Sequence, residues 1–135
     1  MLLIKSIKKF SILFCLIGIS CSKVYSVNNL YGTWSGIKEN KKITINFKED
    51  ATFTFTIKDK IAGIEDGFSG VYILDFSKSP IPLSFKKIQE LNHSFYSIIE
   101  FIDTDIIKFG SLTANERVRS IAFDRNKHTI LKRLK

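Results

Sequence analysis

The sequence predicts an all-β domain: an antiparallel meander of about eight to nine short strands closed into a β-barrel, with a two-sheet sandwich as the alternative. Three observations predict it. Residues Lys41–Lys58 alternate strictly, with Ile43, Ile45, Phe47, Phe53, Phe55 and Ile57 set against Thr44, Asn46, Lys48, Thr52, Thr54 and Thr56. Turn-forming clusters recur along the body at a spacing of roughly 8–12 residues. No long stretch shows the 3.6-residue apolar period of an amphipathic helix.

Taken in order, Tyr31–Ile37 reads as the first strand, and Lys41–Lys58 as a half-buried hairpin turning at Glu49-Asp50. One face of such a hairpin meets the core and the other meets water. Further strands are expected at Gly70–Phe76, Ile81–Ile88, Phe95–Ile102, Ile106–Leu112, Ser120–Asp124 and Thr129–Leu134. The turns between them are expected at Glu65-Asp66-Gly67, Ser77–Pro80, Glu90–His93, Asp103-Thr104-Asp105, Thr113-Ala114-Asn115 and Arg125-Asn126-Lys127, all rich in turn residues. Lys86–Leu91 also suits a single helical turn. A body of this size can bury a sizeable core without disulfides.

Ahead of the body lies a different kind of segment. Met1–Lys9 carries three lysines, and Phe10–Ser20 is an uninterrupted weakly polar to apolar run. That order matches the positive and hydrophobic regions of a cleaved signal-peptide helix. At 1.5 Å per residue the run reaches about 16 Å, short of a bilayer core of roughly 30 Å. It ends at Ile17-Gly18-Ile19-Ser20-Cys21, which resembles the bacterial lipobox: apolar residues, a small residue, then cysteine. The resemblance implies a diacylglyceryl group on Cys21, cleavage just before it, and a lipid-anchored protein. Ser22–Asn29 then forms a short tether, and Leu30–Lys135 the domain. Ser22, rather than aspartate, after the cysteine points to the outer membrane where the cell has two, and otherwise to the cell membrane. The chain has two cysteines, Cys15 and Cys21, so no intramolecular disulfide is open to the body. The rival reading is a secretory leader cut after Ser26, giving a secreted or periplasmic protein.

Leu30-Tyr31-Gly32-Thr33-Trp34 resembles the glycine-x-tryptophan opening of lipocalin-type barrels. Gly70–Asp75 followed by Lys78-Ser79-Pro80, and Arg119–Phe123 with Leu131-Lys132-Arg133, are similar to the central and terminal stretches of small, uncharacterised lipocalin-like bacterial proteins. The resemblance implies an up-and-down barrel in which Trp34 plugs one end and Gly32 lets the first strand bend. It implies no established activity.

The formal net charge is +8; setting aside Lys5, Lys8 and Lys9 leaves 18 basic and 13 acidic side chains, about +5. Seven basic residues fall between Arg117 and Lys135. Such a run serves either an acidic partner or simple solvation, and export makes nucleic acid the least fitting partner.

The body's two histidines, His93 and His128, lie in different segments, and no Gly-x-Ser-x-Gly elbow is present; Gly67-Phe68-Ser69-Gly70 has the wrong spacing. Glu100, Asp103 and Asp105 form the one metal-like cluster, and two of them are placed as turn residues. No catalytic, cofactor or metal role is expected. Ten phenylalanines follow the leader, and a barrel of eight strands either fills itself or holds one small ligand. Phe53, Phe55, Tyr72, Phe85 and Phe101 are the candidate lining of such a cavity. The expected function is a non-catalytic binding module for a small hydrophobic ligand. The alternative is a solid barrel that docks envelope or host partners through its outer surface.

Overall fold

The computed structural model describes residues 24–135; the leader and Cys21 lie outside them. Eight strands form one closed barrel in sequence order, each antiparallel to the next: β1 (Gly32–Lys38), β2 (Lys41–Phe47), β3 (Thr52–Asp59), β4 (Glu65–Leu74), β5 (Ile81–Lys86), β6 (Phe95–Asp103), β7 (Ile106–Phe109) and β8 (Thr129–Arg133). Pairing of Trp34 with Arg133 and of Ser35 with Lys132 closes the ring. The up-and-down meander is therefore the architecture.

The alternating segment becomes β2 and β3 in the register its pattern demands. Phe47 faces Phe53, Ile45 faces Phe55 and Ile43 faces Ile57. This period-two stripe points inward and forms one side of the core. Phe47, Phe53, Phe55, Phe85, Trp34, Ile45, Leu83, Ile99, Ile107 and Leu131 are essentially inaccessible to water. Fully burying each such side chain contributes about 1.5–3 kcal/mol, so the inward faces dominate the stability of the domain.

Turn chemistry sets the strand boundaries. Glu39 and Asn40 both have positive φ (52° and 65°), the signature of a two-residue type I′ hairpin between Lys38 and Lys41. At the β2–β3 turn, Asp50 Oδ1 accepts the Thr52 N–H, and Ala51 sits at φ 68°. Between β3 and β4, Asp59 Oδ1 accepts the Ile61 and Ala62 N–H groups, and Gly63 turns at φ 69°. That turn displaces the one expected at Glu65-Asp66-Gly67. Those residues instead pair with Lys58, Ile57 and Thr56, so β4 begins five residues earlier than its apolar pattern suggested. Lys87, at φ 52°, ends β5 before Ile88; Lys86–Leu91 then holds one hydrogen-bonded turn, from the Leu91 N–H to the Ile88 carbonyl oxygen, and no helix.

The expected strand Ser120–Asp124 does not form. β7 pairs directly with β8, so the closed ring offers this segment no ladder partner. Ile121 is consequently 88% exposed. The whole stretch Gly110–His128 is instead a long connection containing one 3₁₀ turn, Glu116–Val118. Every strand and the packed core lie within the described residues, so the barrel is a folding unit complete in itself. Among the described residues no helix is long and apolar enough to cross a membrane.

Candidate functional site

The inside of the barrel is taken up by side chains. Phe53, Phe55 and Phe85 meet there, with ring centroids 4.5 Å apart for Phe53–Phe85 and 5.8 Å for Phe55–Phe85. Phe109 packs on both Phe55 and Phe85, and Tyr72 stands edge-on to Phe47 at 5.1 Å. Offset and edge-on aromatic pairs of this kind add to the area they bury. The Tyr72 hydroxyl donates to the Lys48 carbonyl oxygen at 2.7 Å. Its burial, with the Tyr31 and Asp50 charges, pushes the phenol up to about 12. Four of the five cavity-lining candidates thus come together as one packed cluster.

Phe101, the fifth, belongs to the end of the barrel where the chain enters. It is stacked on Tyr25 at 4.4 Å and stands edge-on to Trp34 at 6.4 Å. Trp34 is fully buried, and its indole N–H donates to the Leu30 carbonyl oxygen at 2.8 Å. The Arg133 guanidinium covers the indole at 4.3 Å and donates to Asp105 Oδ1 and to the Asn29, Tyr31 and Thr104 carbonyls. A planar cation with five donors suits this position, over an aromatic face and among convergent oxygens. Gly32, at φ 120°, lets the chain pass close to Arg133. The segment before β1 is docked here as well. Val27–Asn29 forms a 3₁₀ turn in which the Ser26 N–H donates to Asn29 Oδ1 at 2.8 Å, and Val27 packs on the core.

The remaining sequence candidates are dispersed. Asp103 Oδ1 accepts the Asp105 N–H, Asp105 pairs with Arg133 and Lys135, and Glu100 is exposed on β6. Among the described residues no three His, Cys, Asp or Glu side chains converge as a metal site would require. His93 lies edge-on to Phe95, and the His128 ring contacts the Asp124 carbonyl. Gly67-Phe68-Ser69-Gly70 runs within β4. The basic C-terminal run is likewise divided, with Arg133 at the barrel end and Arg117 and Arg119 in the long connection.

The candidate site lies on the outside of the barrel. The connection Gly110–His128 leaves β7, pairs Thr113 with Tyr96 by two backbone hydrogen bonds, and then crosses the outer faces of β6 and β5. It bears a cleft of about 740 Å³ whose floor is Ile73, Pro82, Ser84 and Ile98. One wall is Asp75, Lys78, Ser79 and Pro80, and the other is Glu116, Arg117, Arg119, Ser120 and Ile121. Outward-facing strand residues ordinarily meet water, yet Ser84 is 7% and Ile98 2% exposed. The crossing segment covers them.

Arg119 pins this segment. Its Nη2 donates to Ser84 Oγ at 2.7 Å, and the guanidinium lies 4.9 Å from the centre of the Tyr96 ring. The side chain is only 14% exposed. Among the described residues its carboxylate neighbour is Glu116, 3.9 Å away and largely in water, and Arg119 Nε is buried with no acceptor. At the opposite wall the Ser77 hydroxyl and N–H, helped by Lys78, hold the Asp75 carboxyl below the usual carboxylate range. The arrangement is a trough of mixed lining, with Ile73, Leu74, Pro80, Pro82, Ile98 and Ile121 beside charged Asp75, Lys78, Glu116 and Arg117, and a half-satisfied cation, Arg119, at one side.

Sequence reasoning missed this site. Arg119 was legible only as one member of a basic run and as the start of the terminal Arg119–Phe123 stretch, and Ser84 only as part of the expected strand Ile81–Ile88. Their meeting depends on the path of the long connection, which no local pattern encodes. Comparison of the chain with protein-family models, curated proteins and solved structures found no match.

Proposed function

We propose that the chain is an exported, lipid-anchored barrel of the lipocalin-like kind that serves as a non-catalytic binding module, taking its ligand in the outer cleft. The observation that carries this reading is the contrast between an interior occupied by aromatic rings and an outer face roofed by Gly110–His128 over an open trough. Small-ligand sites are usually concave and combine apolar surface with placed polar groups, and this cleft has both, with a larger polar share. The leader, its short apolar run and Cys21 support removal of Met1–Ser20 and acylation of Cys21. The docked segment Tyr25–Leu30 supports a close anchor. Only Ser22, Lys23 and Val24 would be left to span from lipid to barrel, at most about 11 Å when extended.

Two measurements test the reading. The intact mass of the protein from the membrane fraction is expected to show an acylated N-terminus at Cys21; a mature end at Val27 without acyl mass refutes the anchor. For binding, the neutral apolar dye N-phenyl-1-naphthylamine is expected to shift the amide resonances of Ile73, Ser84 and Ile121. Shifts confined to Phe53, Phe55 and Phe85 would return the ligand to the barrel interior and refute the outer site.

A further inference from the structure

We infer that the outer cleft is built for an anionic amphiphile, an oxygen-anion head on a single aliphatic chain, with Arg119 as the residue that receives the head. This rests on the proposed reading of the cleft as the binding site and names the ligand class it takes.

Arg119 carries the argument. A guanidinium withdrawn from water is costly unless its donors and charge are matched. Here the matching is incomplete: Ser84 Oγ takes one donor, Tyr96 offers a ring face, and Nε has no acceptor. Glu116, at 3.9 Å and 66% exposed, is too far for a hydrogen bond and is screened by solvent. Unpaired buried polar groups are rare enough that each one calls for an explanation. A carboxylate or phosphate at this wall would supply the missing charge; Nε itself is closed to solvent, so the head would meet the part of the guanidinium that stays exposed. The rest of the trough fits the rest of such a molecule. Ile73, Pro80, Pro82 and Ile121 line the same cleft as Arg119 and offer apolar surface for a chain, while Lys78 and Arg117 add positive charge and Asp75 and Glu116 negative charge. Ile73 and Ile121, at 53% and 88% exposed, stand open to water on its rim. A cleft of about 740 Å³ accommodates a medium-length chain.

The test uses residues 24–135, which contain the complete barrel, and follows the Arg119 Nε–Hε resonance together with the Ile73 and Ile121 amides. Decanoate and decyl phosphate, each below its micelle concentration, are compared with decanol, which has the same chain and no charge. The anions are expected to move all three resonances saturably and to bind at least ~10-fold more tightly than decanol. The stronger of the two identifies a carboxylate or a phosphate head. Arg119→Gln is expected to abolish that preference. Because this variant also loosens the crossing segment, Glu116→Gln provides a second reading: removal of the competing carboxylate is expected to tighten decanoate ~2–3-fold and leave decanol unchanged. Equal binding of decanoate and decanol at the cleft, with both variants silent, overturns the anion assignment and leaves the cleft reading intact. Resonances that stay still with all three compounds, and with the neutral dye, overturn both.

Discussion

Ala51 occupies a backbone conformation that L-residues with a Cβ avoid, at φ 68° in the β2–β3 turn. Left-handed conformation costs such a residue about 1–2 kcal/mol, part of which glycine gives back through its freer unfolded state. Ala51→Gly is therefore expected to stabilise the domain by about 0.5–1 kcal/mol, read as a higher urea midpoint at unchanged slope. The neighbouring Asp50 explains how the turn tolerates alanine. Its carboxylate accepts both the hydroxyl and the N–H of Thr52, which fixes the loop from the other side. Arg119 and Arg133 show a related contrast. Both lie over an aromatic ring, but Arg133 has a carboxylate at 3.0 Å and several carbonyls, while Arg119 has a serine and an unmatched Nε.

Among the elements, closure of the ring depends on β1 and β8 coming unusually close. A Cβ added at Gly36 would stand 2.2 Å from the Ile130 carbonyl oxygen, a backbone atom that cannot swing aside. Gly36→Ala is expected to destabilise the barrel by about 2–3 kcal/mol, measured by urea denaturation, with hydrogen exchange accelerated first along β1 and β8. The elements also show what a sequence can convey. Strands β2 and β3 were legible because each apolar residue stands two places from the next and because their turn carries its own polar residues. The start of β4 was not, since Glu65, Asp66 and Gly67 have turn composition while Asp59 and Gly63 hold the actual turn. Ser120–Asp124 has the composition of a strand but no neighbour to pair with, a fact that exists only once β7 and β8 have met. The cleft was illegible for the same reason. Its floor belongs to β4, β5 and β6 and its pin to Gly110–His128, and only the folded path joins them.

For the molecule as a whole, acid removes several of the contacts that hold its turns and one end of the barrel. Asp50, Asp75 and Asp59 are held below the usual carboxylate range mainly by turn hydrogen bonds, and Asp105 by Lys135 and then Arg133. Glu90 is lowered by the Ser69 N–H, which ties the β5–β6 loop to β4. A carboxyl whose folded pKa is depressed contributes stability that is fully present above its unfolded value and lost as the pH falls through the folded one. The melting temperature is therefore expected to hold steady above about pH 5 and to fall progressively below about pH 4. In Asp105→Asn the curve is expected to be flatter in that window, and thermal melts across pH 2–7 check it. A slope identical to that of the parent chain would show that Asp105 does not contribute.

Ring closure has one more consequence. Every strand has a partner on each side over part of its length, so among the described residues open ladder is confined to short stretches such as the start of β4, beyond its pairing with β5. Copies crowded on a common surface would find few edges for strand-to-strand fusion for the same reason. Recognition would then fall mainly to side chains and loops, so specificity would be written in the covering connection more than in the barrel that supports it.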